Sequence, residues 1–406
     1  MTKSVYVLAT LDTKGLEAAF VRDQLARLKV PAQIVDTGCV GAPSVEADIP
    51  RDEIFKAAGT TLAALREKND RGEAVKAAAK GASVLIKDLY DRGDVGGVLG
   101  LGGSAGTIIG TSAMRALPIG VPKVMVSTLA SGTVRQFVGD KDILMLNSIV
   151  DILGINRISR PILTNAARAV AGMVALPAAP VEGADKPLVA VTMFGVTTKG
   201  VMRAKETLEK AGYEVLVFHA TGNGGQAMET LIAEGLIAGV LDLTTTELAD
   251  ELCGGFLTAG PERLTAAGKA GVPQVVSVGA VDMVNFYAPD SVPAKYKGRK
   301  LYPHNPVVTL MRTTPEENAR IGADLGAKVA AAKGPKAILL PRKGVSAIDA
   351  AGQPFDDPEA RLSLFSAIRT AAKGVEIVEL DAHINDPEFA DAAATKLLGL
   401  MKVGKK

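Results

Sequence analysis

The stretch Val95-Gly-Gly-Val-Leu-Gly-Leu-Gly-Gly-Ser-Ala-Gly-Thr107 reads as a buried strand, a glycine turn and the start of a helix. Its apolar run over 95–99 has the Val/Leu character of a strand covered on both faces. The run over 108–116 has helical spacing. In between, the glycines let the backbone approach a ligand closely, and the free N–H groups of the first helical turn favour an anion. Ser104 and Thr107 add hydroxyls. The turn is not a Walker A loop, because no Lys follows Gly106, and it departs from G-x-G-x-x-G because the third glycine falls one residue late. It predicts a phosphate-bearing ligand; the competing reading is a glycine-rich turn packed tightly on its sheet.

Outward from this turn, strands are expected over 5–9, 32–36, 95–99 and 123–127, and helices over 15–28, 51–66, 74–92 and 159–176. That alternation is the pattern of a doubly wound sheet. The segment Pro177-Ala-Ala-Pro-Val-Glu-Gly-Ala-Asp-Lys-Pro187 reads as a linker, dividing a domain over 1–178 from one over 179–406. The alternation then restarts. Strands are expected over 188–192, 214–218, 239–243, 274–278, 307–310, 337–340 and 376–379, and helices over 200–211, 226–234, 315–332, 358–372 and 387–401.

The second half echoes the first, in order. TLDTKG (10–15) matches TTKG (197–200), and DTG (36–38) matches ATG (220–222). GVL recurs at 97–99 and 239–241, and GVP at 120–122 and 271–273. The expectation is an α/β chain of two doubly wound, mostly parallel, Rossmann-like domains related by an internal repeat, the first carrying an insertion over roughly 40–92.

Composition narrows the function. Hydrophobic residues make up 48% and aromatics 4%, the balance of small helices packed on buried strands. A net charge of +2 offers no long-range attraction to nucleic acid or to an anionic membrane. No apolar run approaches the length of a membrane span, and MTKSVYVLAT enters a strand directly, unlike a signal peptide. Cys39 and Cys253 form neither a disulfide framework nor a metal cluster. A cytoplasmic location is expected.

Ligands of open α/β sheets bind beyond the carboxyl ends of the strands, which selects particular loops. In the first half these carry Thr10 and Lys14, then Gly102, Gly103, Ser104, Gly106 and Thr107, then Ser131, Gly132 and Thr133. Lys14 is a point charge for a phosphate, with an ordinary capped turn as its alternative. Asp140 and Asp142 are candidates to help hold Mg²⁺, or plain turn residues. The second half holds all three histidines, His219, His304 and His383, each in a loop. With Glu247 and Arg342 they suggest acid–base chemistry on a small anionic substrate, and with Glu247 or Asp282 a metal site. A structural hydrogen bond is the alternative for each histidine.

Taken together, ATLDTKG, DTG, GLGGSAGT, STLASG, HATGNGGQAME, GVLDLTTTE, LPRKGVSAID with GQPFDDPEA, and HINDP resemble the family of ATP-binding proteins similar to the N-terminal region of the tomato mosaic virus resistance protein. The resemblance spans essentially the whole chain. It implies a two-domain α/β protein that binds ATP with Mg²⁺ in its first domain and forms a homodimer. The implied contacts fall on Gly102, Gly103, Ser104 and Thr107, and less directly on Thr10, Lys14 and Thr133. The barrel domain that follows in the plant protein has no counterpart here, so no barrel chemistry is expected. The leading reading is an ATP- and Mg²⁺-dependent enzyme acting on a small anionic metabolite at an interdomain cleft, with His219, Glu247, His383 and Arg342 as its chemical residues. The alternatives are a nucleotide sensor or scaffold without turnover, and a metal-dependent hydrolase or lyase built on the histidine loops.

Overall fold

A computed structural model describes residues 3–67, 70–132, 134–176 and 186–403. Thr133 and residues 177–185 of the expected linker lie outside the described residues. The chain divides into two compact units, 1–180 and 181–406.

The first unit is built on β1 (Ser4–Ala9), β2 (Ala32–Asp36), β3 (Val95–Gly102), β4 (Lys123–Ser127) and β5 (Leu144–Asn147), all parallel, in the order β2-β1-β3-β4-β5. Every residue of β1 is buried, and alternation sends successive side chains to opposite layers. Val5, Val7 and Ala9 pack with the helices Leu11–Arg27 and Ser159–Ala175. Tyr6 and Leu8 pack with Arg51–Ala57, Arg71–Asp91 and Ser104–Arg115. The insertion thus supplies helices for one layer. It does not form the single helix expected over 51–66: Gly59 adopts φ +81°, outside the helical region, and the chain restarts at Leu62–Glu67.

The second unit continues with β6 (Leu188–Met193), β7 (Glu214–His219), β8 (Ile237–Thr244), β9 (Gln274–Gly279), β10 (Met283–Phe286), β11 (Leu301–Asn305), β12 (Val308–Arg312), β13 (Lys336–Pro341) and β14 (Glu376–Leu380). Its parallel sheet runs β14-β13-β9-β8-β6-β7. Read from the other edge, β7-β6-β8-β9 has the same winding as β2-β1-β3-β4. The register slips at the same place in both: Ser4 and Val5 pair with Val95 and Gly97, and Leu188 and Val189 with Ile237 and Gly239. The repeated Gly-Val-Pro has one task in each unit, since Val98 N–H donates to Pro122 and Val240 N–H to Pro273.

The strand expected over 307–310 is displaced from the parallel sheet. As β12 it pairs antiparallel with β10 and β11 in a separate three-stranded sheet. The pattern gave no sign of β10 or β11. They are short, β11 carries Pro303 and His304, and only pairing with β12 makes them strands.

Candidate functional site

In the first unit the winding reverses between β1 and β3, where crossover connections leave in opposite directions and open a crevice at the carboxyl edge. Two glycines there are used for packing. A Cβ on Gly102 would lie 2.5 Å from Gly106 Cα, and one on Gly106 would lie 2.9 Å from the Leu101 carbonyl oxygen. The helix Ser104–Arg115 therefore seats directly on β3. Gly103 is different: a Cβ there would meet only Thr128 Oγ1, at 3.7 Å.

Gly103 is the N-cap of that helix and no side chain caps it. Thr107 N–H donates to the Gly103 carbonyl at 2.8 Å, so the N–H groups of Ser104, Ala105 and Gly106 precede the first intrahelical bond. Ser104 is exposed and Thr107 fully buried. The Thr107 hydroxyl shares a hydrogen bond with Ser127 Oγ at 2.7 Å, and Ser127 Oγ accepts from Leu129 N–H at 2.9 Å. Thr107 thus knits the two loops together, and its hydroxyl does not face the crevice as the sequence suggested. Ser131 and Gly132 are exposed on the second loop. Thr10 shares a hydrogen bond with Thr13 at 2.9 Å, and Lys14, half-buried, breaks the first helical turn at φ −128°.

Other turns at the carboxyl edges are filled by the chain itself. Asp36 Oδ1 accepts from the N–H groups of Leu11 and Gly38, and Asp12 Oδ2 from those of Val40 and Gly41. Asp36 Oδ2 holds Arg51 Nε at 2.7 Å, while Arg51 Nη2 is buried without a partner beside a cavity of about 560 Å³. Asp142 lies at the opposite edge of the sheet. It accepts from Lys123 Nζ at 2.6 Å, at the first residue of β4, and from Gly120 N–H. Four residues of strand, about 13 Å, separate that point from the glycine turn, so Asp142 does not reach a metal there.

In the second unit the four expected chemical residues do not share a site. Glu247 is fully buried. Its Oε1 accepts from Gly222 and Gly225 N–H at 2.7 and 3.1 Å, filling the N-terminus of the helix Asn223–Ala233. Its Oε2 pairs with Arg263 Nε at 2.6 Å, and Arg263 also grips Asp242 and Glu229. Burial pushes the Glu247 carboxyl up and Arg263 opposes that. Glu247 is therefore a structural anchor. His383 stitches loops: its Nδ1 accepts from Asn385 N–H at 3.1 Å, leaving Nε2 to donate to the Ser346 carbonyl at 2.8 Å. Arg342 is exposed at the end of β13 and pairs with Asp381. It stands four strand spacings, about 19 Å, from His219 at the end of β7. The anionic substrate was expected from the cations of the loop after β13, and both Arg342 and Lys343 pair with Asp381.

A cavity of about 360 Å³ does form at the ends of β6 and β7. His219 lies at its mouth, edge-on to Phe194 with ring centroids 5.4 Å apart, and partial burial lowers its pKa. His304 on β11 and Asn285 on β10 line the opposite wall. Sequence reading singled out the two histidines, placed Phe194 and Asn285 in the carboxyl-edge segments 194–199 and 279–285 without a role, and missed Phe256; their approach depends on the antiparallel sheet. Among the described residues no three His, Cys, Asp or Glu side chains gather as metal ligands. Both thiols are buried apart and pushed up, Cys39 to about 11 and Cys253 to about 12, so neither is a ready nucleophile.

The two units match successive family models. Residues 3–179 match the N-terminal domain, and residues 186–401 the C-terminal domain, of the uncharacterised protein family UPF0261. The chain belongs to the UPF0261 family. A UPF0261 protein of Clostridium tetani is 50% identical over 404 residues, covering 99% of this chain and 100% of that protein. The ToMV resistance protein Tm-1(GCR237) of Solanum lycopersicum is 44% identical over 335 residues, which cover 81% of this chain but 44% of the tomato protein. A putative UDP-N-acetylglucosamine 2-epimerase of Listeria monocytogenes aligns with 100% of this chain and 97% of its own, at 12% identity and a TM-score of 0.24, too low to carry an argument. Among the described residues no helix is long and apolar enough to cross a membrane.

Proposed function

We propose that this UPF0261 protein binds ATP through its N-terminal domain and is an ATP- and Mg²⁺-dependent enzyme acting on a small metabolite. The observation that carries the nucleotide reading is the uncapped helix start at Gly103. The turns after β2 and β7 are closed by the chain's own carboxylates, whereas Gly103 has no capping side chain and its Cβ would meet only Thr128 Oγ1, at an ordinary 3.7 Å. A helix start with free N–H groups and a favourable dipole suits a phosphate. Lys14 and the Thr10 hydroxyl stand at the end of the neighbouring strand to meet further oxygens. Mg²⁺ would be held chiefly by the polyphosphate, as is usual for that ion, because Asp12 and Asp36 are spent on backbone N–H groups and Arg51.

The test is ATP titration by calorimetry, with and without Mg²⁺, against Gly103→Asp. Asp is a favoured N-cap residue, so the variant closes the turn with its own carboxylate and, relative to Gly, gains about 0.3 kcal/mol of helix stability. Weakened ATP binding with an unchanged or raised Tm is expected. Unchanged affinity would refute the site. ADP release in the presence of candidate metabolites separates an enzyme from a sensor that only binds.

A further inference from the structure

We propose that the cavity at the ends of β6 and β7 binds a small, uncharged planar ring compound, held by its apolar walls and by a hydrogen bond to the His219 imidazole. The inference goes beyond nucleotide binding in the N-terminal domain, and its test uses no nucleotide, so either reading can fail alone.

The internal repeat gives His219 a counterpart. Val5 and Val189 hold the same register, each pairing with the glycine of a Gly-Val-Leu, Gly97 or Gly239. Four residues on, Ala9 pairs with Asp36 in the first unit and Met193 with His219 in the second. The next bond agrees: Thr37 N–H donates to the Ala9 carbonyl, and Ala220 N–H to the Met193 carbonyl. His219 therefore stands where Asp36 stands, one residue off the echo of DTG and ATG in the sequence.

The two positions are used differently. Asp36 is buried, pairs with Arg51, and accepts from Leu11 and Gly38 N–H. Arg51 comes from the long insertion between β2 and β3, whereas β7 reaches β8 through the single helix Asn223–Ala233. No cation is brought to His219. Its ring meets Phe194 edge-on, and among the described residues neither of its nitrogens has a hydrogen-bond partner. Where the first unit sets an ion pair, the second has an unengaged imidazole at the mouth of a cavity.

That cavity, of about 360 Å³, is of a size that takes a small molecule and lies at the carboxyl edge, where sheets of this kind take ligands. Phe194, Phe256, Leu257 and Leu310 wall it, and Tyr287 stacks on Phe256 with ring centroids 4.1 Å apart. Aromatic walls suit a planar ring. No Lys, Arg, Asp or Glu lines the cavity, so an ion entering it would be desolvated without a countercharge. Partial burial lowers the His219 pKa, so its ring is neutral at about pH 8, where one nitrogen donates and the other accepts.

The probes are benzamide, benzoate and benzamidine, which share a shape and differ in charge, and toluene, which lacks the polar edge. Each is titrated against the full chain by ligand-observed NMR at about pH 8. Wild type should bind benzamide about ten-fold or more tightly than either ion. His219→Phe keeps a ring against Phe194 and removes the nitrogens. It should weaken benzamide about five-fold, the scale of one hydrogen bond, and leave toluene unchanged, whereas a loosened site would weaken both alike. Val308→Trp, a half-buried wall position, should abolish binding of both. Should Val308→Trp not fold, the wild-type ratios and His219→Phe decide. The proposal is overturned if wild type binds neither benzamide nor toluene, if either ion binds as well as benzamide, if His219→Phe leaves benzamide unchanged or weakens toluene equally, or if benzamide binding survives in folded Val308→Trp.

Discussion

Glu247→Gln separates the two roles that residue has been given. As a chemical residue, its replacement would silence a reaction and leave the fold alone. As an anchor, its replacement must cost stability, and the geometry sets the scale. One carboxylate oxygen accepts from two backbone N–H groups and the other pairs with Arg263 Nε, with both side chains fully buried. A Gln cannot satisfy both sides. With its carbonyl toward Gly222 and Gly225, its amide N–H groups confront the guanidinium; turned round, it leaves two glycine N–H groups without an acceptor. Breaking a buried ion pair on one side costs about 3–5 kcal/mol. Arg263 keeps Asp242, at 2.6 Å, and the repulsion between Glu247 and Asp242 disappears, which favours the lower end. The assay is urea unfolding of the full chain by far-UV circular dichroism. With a slope of about 3 kcal/mol per M, the midpoint of the transition carrying the C-terminal domain should fall by about 1 M. A cycle with Arg263→Met should show strong coupling, because each variant removes the same pair. A midpoint unmoved by Glu247→Gln would refute the anchor and return Glu247 to the candidate chemical residues.

Three further outcomes follow from single positions. Gly102→Ala should destabilise the N-terminal domain by about 1–3 kcal/mol in thermal unfolding, because the added Cβ meets Gly106 backbone at 2.5 Å and neither partner can yield. Gly103→Ala, whose Cβ makes only an ordinary 3.7 Å contact with Thr128 Oγ1, should stay within about 0.5 kcal/mol of wild type. Asp282 is fully buried, and desolvation first, then the Asp349 charge, pushes its carboxyl up to about 7. The folded state therefore holds a proton that the unfolded chain has released, and stability falls as pH rises from about 4 to about 7. Asp282→Asn, whose carbonyl can still accept from Ser346, should flatten that fall in urea titrations across the window, and an unchanged pH profile would count against it.

Much of this architecture was legible because its signals are local. Short apolar runs that bury both faces, helical spacing, and the echo of Gly-Val-Leu and Gly-Val-Pro are properties of a few adjacent residues, and the two sheets wind as that repetition implied. The candidate sites were harder to read. The glycine turn was visible as a turn, yet only packing divides Gly102 and Gly106, which seat the helix, from Gly103, where a Cβ would make only an ordinary contact. His219, Glu247, Arg342 and His383 all sit at or just beyond strand ends on one edge of a sheet, and nothing local distinguishes such a residue facing a cavity from one holding the chain together.

What the sequence by itself determined is the class of fold, the restart of the pattern near residue 186, and the loops that gather at the carboxyl edges. What only the tertiary structure decided is which polar groups remain available. Glu247 is consumed by Arg263, 16 residues after it, and by glycines 25 and 22 residues before it, and the Asn285 amide is held by Asp250, 35 residues before it. A buried polar group is satisfied or left open by whatever the fold brings within about 3 Å, and that distance has no counterpart along the chain.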